Sequence, residues 1–96
     1  MAMIDKAAAL GVVLGKIKAM EQGHGLELLT YKRDRAVIIR RSGPEAFCVI
    51  QNGFEQARYI ESAKGLRPLL KRLLKKEFPR SNKVRLRALS PDDRPC

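Results

Sequence analysis

The chain has 96 residues, 45% of them hydrophobic and 31% charged, with a formal net charge of +10. That length fits one domain able to bury about 60 to 70% of its unfolded surface without staples, and the balance of apolar and charged residues excludes a disordered tail or a membrane-spanning chain. The charge is uneven: residues 1–63 carry nine basic and seven acidic groups, residues 64–96 eleven and three. Clustering of this kind is the electrostatic footprint of a polyanion binder.

Met3, Ala7, Leu10, Val13, Leu14, Ile17 and Met20 recur at helical spacing and predict a first helix, ended by Gly23-His24-Gly25. The apolar run Ala7–Gly15 is too short to span a bilayer and is flanked by Asp5, Lys16 and Lys18, so it is read as part of the fold rather than a signal peptide or membrane span. Gly11 and Gly15 share one face of that helix and suggest close packing on a sheet.

From Leu26 the period changes to two. Leu26–Arg33, Ala36–Arg41, Ala46–Gln51 and Phe54–Ile60 predict a four-stranded antiparallel meander, broken at Asp34-Arg35, Ser42-Gly43-Pro44 and Asn52-Gly53. Asn-Gly favours a two-residue type I′ turn. It would set Val49 opposite Gln56 and Phe47 opposite Arg58, with Ala46, Cys48 and Ala57 on the face beneath a helix. Phe47, Val49, Phe54 and Ile60 would then need other cover, which raises a homodimer through the sheet.

After Ser62 the helical period returns. Leu66, Leu69, Leu70, Leu73, Leu74 and Phe78 form an apolar stripe, Pro68 suits a first turn and Pro79 ends the helix. Lys83–Leu89 alternates strictly and predicts a fifth strand, half-buried, with Val84, Leu86 and Ala88 on one side. The fold class expected is therefore α+β: an N-terminal helix, a four-stranded antiparallel meander, a basic amphipathic helix and a fifth strand. Residues 1–89 form the single domain, and 90–96, with two prolines and no periodicity, a disordered C-terminal tail.

Chemistry for catalysis is sparse. The one histidine, His24, lies between glycines in a loop, the carboxylates are scattered, and no nucleotide-binding glycine pattern or metal-ligand spacing occurs. No enzyme, cofactor or metal is expected. Cys48 in an apolar run and Cys96 at the terminus read as free thiols, which fits a reducing cytoplasm.

The functional lead is basic. Lys64, Arg67, Lys71, Arg72, Lys75, Lys76, Arg80, Lys83, Arg85 and Arg87 stand against one acid, Glu77, between residues 64 and 88. Four-residue spacing on the helix and alternation on the strand present rows of cations that can neutralise phosphates with little sequence reading. Tyr31 and Tyr59 on strands are candidates to stack bases, and Lys32, Arg33, Arg35, Arg40 and Arg41 extend the positive potential. The expected function is non-enzymatic binding of nucleic acid, RNA or single-stranded DNA ahead of duplex. The alternative is an interaction or homo-oligomerisation module whose basic face meets an acidic protein.

Overall fold

The computed structural model describes residues 2–30, 35–53, 55–79 and 83–90. Eight elements follow in order: β1 (Ala2–Asp5), α1 (Lys6–Ala19), β2 (Gly25–Leu29), β3 (Ala36–Arg41), β4 (Phe47–Asn52), β5 (Gln56–Glu61), α2 (Ala63–Glu77) and β6 (Lys83–Leu89). The strands form one antiparallel sheet in the order β1-β6-β2-β3-β4-β5. The meander β2 to β5 and the two helices are as expected; a strand at the N-terminus is not. Met3 matches the helical spacing of α1 by coincidence, because Ala2–Asp5 pairs with β6, with Ile4 opposite Val84. Four residues are too few for a period of two to stand out. β6 lies between β1 and β2, antiparallel to both.

Both helices cover one face of the sheet. Ala9, Val13, Leu14 and Ile17 of α1 and Leu66, Leu69, Leu70, Leu73 and Leu74 of α2 join Leu26, Leu28, Val37, Ile39, Phe47, Val49, Val84 and Leu86 in a single core. Each Val, Leu, Ile or Phe among them, fully buried, stabilises by roughly 1.5–3 kcal/mol before conformational entropy is charged against it. Alternation then assigns Glu27, Leu29, Ala36, Ile38, Arg40, Cys48 and Ile50 to the opposite face. This reverses the expected faces: Phe47 and Val49 lie under the helices, and Cys48 does not. On that opposite face Leu29, Ala36, Cys48 and Leu89 are buried, outside the main core. The large apolar side chains exposed among the described residues are Met3 and Ile60, on the two edge strands. They lie at opposite edges of the sheet.

The β4-β5 register also departs from the expected one. Asn52 pairs with Gln56, Val49 with Tyr59 and Phe47 with Glu61, three positions from the register that a two-residue Asn-Gly turn would set. That turn would have turned Gln56 and Arg58 towards the core. The observed loop puts Ala57 and Tyr59 there instead, so burial outweighs local turn preference. Gly53 lacks the positive φ of a type I′ turn; among the described glycines Gly23 has it, at 89°. Gly53 instead gives close approach to α2, because a Cβ there would run into the Glu77 carboxylate.

Two arginines expected to widen the basic surface are structural. The Arg41 guanidinium donates to the carbonyls of Lys18 (3.1 Å) and Met20 (2.7 Å) at the end of α1, and to Gly43 (3.2 Å) and Pro44 (2.6 Å) in the β3-β4 turn. It also lies over the Phe47 ring, 5.9 Å from its centre. Orphan carbonyls at a helix C-terminus are so satisfied by a cation that also suits the helix dipole. Arg40, 6% exposed, donates to the carbonyls of Gly23 and Ser90, the latter at 2.9 Å. Gly25 beside it leaves no room for a side chain, since a Cβ would strike the Ile39 carbonyl and lie 3.0 Å from the Arg40 Cα. Backbone cannot yield as a flexible side chain does. Gly25→Ala is therefore expected to lower the unfolding free energy by about 1–3 kcal/mol, read from the midpoint of a urea melt.

Cys48 corrects another expectation. It is 1% exposed and disulfide-bonded, and no free cysteine occurs among the described residues. The chain's other cysteine, Cys96, and the expected disordered tail 91–96 lie outside the described residues. Cys48→Ser should cost about 2–4 kcal/mol under oxidising conditions, and an equal loss on adding dithiothreitol to the wild type, with none in the variant, checks it by thermal melting.

Candidate nucleic-acid interface

α2 is built to turn one face outward. The Ser62 side chain caps it, accepting from the Gly65 N–H at 3.4 Å, so the helix starts at Ala63 and Pro68 sits in its second turn rather than its first. At the other end Lys6 donates to the Phe78 carbonyl and Arg35 to that of Glu77 (3.4 Å). The leucine stripe faces the sheet, and Lys64, Arg67, Lys71, Arg72, Lys75 and Lys76 are all exposed.

These six cations divide into two ridges. Arg72 and Lys76 serve the neighbouring edge of the sheet: the Arg72 guanidinium lies 5.7 Å from the centre of the Tyr59 ring, and Lys76 pairs with Glu55. Lys64, Arg67, Lys71 and Lys75 form the other ridge and make no ion pair among the described residues. Spaced three and four residues apart, they follow one another at about 4.5–6 Å along the axis. Lys64 and Arg67 also line a cavity of about 330 Å³ between the helices, together with Lys18, Leu14, Gly15 and Ala63.

The β6 row lies elsewhere. Val84 and Leu86 enter the core beneath the helices, so Lys83, Arg85 and Arg87 project from the opposite face of the sheet. The basic third of the chain is thus two surfaces, not one. Cross-strand neighbours also moderate the second: Lys83 pairs with Asp5 at 3.1 Å and Arg87 with Glu27 at 3.5 Å. Arg85 is half-buried, with Met3 and Leu29 as its cross-strand neighbours.

Tyr59 is half-buried on the helix side of β5. Its hydroxyl donates to Gln51 Oε1 (2.9 Å), and Arg72 covers its ring, so a base could stack on that side only by displacing Arg72. Tyr31, Lys32, Arg33 and Arg80 lie outside the described residues. His24 contributes backbone bonds to Glu21 and Arg41 in the turn before β2. Among the described residues no three or more His, Cys, Asp or Glu side chains come together, and no helix is long and apolar enough to cross a membrane.

Two residues of consequence escaped the sequence reading. Lys18 lies on α1, 46 and 49 positions from Lys64 and Arg67, the α2 cations whose cavity it shares, and no local spacing links them. Glu77 was legible in principle: it continues the stripe Leu66, Leu70, Leu73 at helical spacing, which marks it as buried although it is charged. Gly11 and Gly15, expected against the sheet, are exposed, and a Cβ on either would meet nothing within 4 Å. Comparison with known protein families, curated proteins and solved structures finds no match to this chain.

Proposed function

We propose that the protein is a non-enzymatic nucleic-acid-binding domain that holds the phosphate backbone along the exposed face of α2, with RNA or single-stranded DNA preferred to duplex. The observation that carries this reading is the ridge Lys64, Arg67, Lys71 and Lys75: four exposed cations in a row with no ion pair among the described residues. Like charges this close repel one another, a cost that a polyanion relieves. One row on a convex helix meets one backbone strand, which supports the preference for single strands. Contacts to phosphate carry no base identity, so sequence discrimination should be weak. Lys83, Arg85 and Arg87 form a secondary surface that the same strand reaches only by passing around the sheet.

Binding measured against salt tests the proposal. About four phosphate contacts on a single strand give a log-log slope near −3, from roughly −0.7 per contact. An affinity that does not change with salt would exclude it. Retention on an acidic protein but not on RNA or DNA would replace it with the interaction-module reading.

A further inference from the structure

We propose that the groove between α1 and α2 is a phosphate-binding site, with Lys18, Lys64 and Arg67 as its cationic ligands. The inference rests on the reading of α2 as a track for a nucleic-acid backbone, and adds to it an anchoring point and a residue from another helix. Six residues line the groove: Leu14, Gly15, Lys18, Ala63, Lys64 and Arg67. Three carry positive charge and none is acidic. They come from two helices brought together by folding, so the convergence is not a property of one basic run.

None of the three has an ion-pair partner among the described residues. Lys76, Lys83 and Arg87, by contrast, each have a carboxylate within reach. The fold neutralises its cations in several places and leaves these converging. The cavity, about 330 Å³, is near the lower end of the roughly 300–1,000 Å³ typical of small-molecule sites. It admits a phosphate with part of its sugar and is far too small for a duplex.

Gly15 on the wall points the same way. A glycine inside a helix costs about 0.5–1 kcal/mol relative to alanine, and at Gly15 a Cβ would meet no atom within 4 Å. Its absence keeps the wall low beside the cations. Arg67 supplies a planar fork that matches the two non-bridging oxygens of a backbone phosphate, and the lysines supply point charges beside it.

The test compares Lys18→Glu with Lys16→Glu, an equal charge reversal at an exposed position of the same helix that does not line the groove. Both positions are exposed, and thermal melts verify that both variants fold. Affinity for a fluorescent oligouridylate is expected to fall about tenfold further in Lys18→Glu than in Lys16→Glu. Equal losses would overturn the groove as an anchor for the backbone while leaving α2 as the track. Inorganic pyrophosphate provides an arm independent of nucleic acid: saturable amide shifts at Gly15, Lys18, Ala63 and Lys64, lost in Lys18→Glu, are expected. If the wild type fails to bind the oligonucleotide yet shows those shifts, the track is wrong and the site takes a free phosphate compound. Absence of the shifts overturns the site itself.

Discussion

Glu77→Ala is expected to destabilise the protein by about 3 kcal/mol, near the upper end of what stranding a buried hydrogen-bonding group costs. Glu77 is fully buried, and its Oε2 accepts from Gln51 Nε2 at 2.7 Å. Gln51, 1% exposed, accepts in turn from the Tyr59 hydroxyl at 2.9 Å, and Arg72 covers the Tyr59 ring. A polar chain thus runs from the cationic surface through β5 and β4 to the last residue of α2. Removing the carboxylate leaves the Gln51 amide inside the protein without that acceptor, and opens a cavity beside Gly53. For a domain of this size the loss corresponds to a drop in melting temperature of roughly 12–24 °C. Glu77→Gln, which keeps the shape and one acceptor oxygen, should lose less. A melting temperature within about 2 °C of wild type for Glu77→Ala would show that the chain of bonds contributes little; that threshold is under 1 kcal/mol.

The same network shows why some of the fold was legible in the residues and some was not. The stripe Leu66 to Leu74 and the alternation Val84, Leu86 report burial directly, because one period belongs to one element and one covered face. Asn52-Gly53 misled for the opposite reason. A turn preference is local and worth little against a register that packs Tyr59 on the core beside Val49 and brings Gly53 up to Glu77. β1 was invisible because its evidence is the partner strand β6, more than 75 positions away. Arg40 and Arg41 look like surface charge in the sequence, and only the fold brings backbone carbonyls to their guanidinium groups.

The candidate site was legible only as far as single elements reach. Local spacing was enough to place the α2 cations on one exposed helical face, since sequence and geometry coincide within a helix. It could not say that β6 would present Lys83, Arg85 and Arg87 on the far side of the sheet, because that depends on which face the helices cover. Nor could it bring Lys18 to Lys64 and Arg67. Convergence across elements is a tertiary fact.

Reversing Arg67, Lys71 and Lys75 to Glu together is expected to weaken nucleic-acid binding by about 100-fold or more near physiological salt, because three phosphate contacts are lost and three repulsions introduced. The substituted residues are exposed and make no ion pair among the described residues, so the fold should survive. Reversing Lys83 and Arg87 breaks their pairs with Asp5 and Glu27, yet should weaken binding only several-fold, since those side chains lie across the sheet from α2. The two variants separate a specific face from general positive charge. Net charge alone would make the effect follow the number of reversals, at similar cost per residue on either side.

The most direct measurement is the affinity for single-stranded RNA from low to physiological salt, taken in parallel for the wild type, the α2 variant and the β6 variant. A wild-type slope near −3 is expected, with a slope shallower by about 2 in the α2 variant, from roughly 0.7 per lost contact, and a slope close to wild type in the β6 variant. Equal loss in both variants, or an α2 variant that binds as the wild type does, would rule out α2 as the binding face.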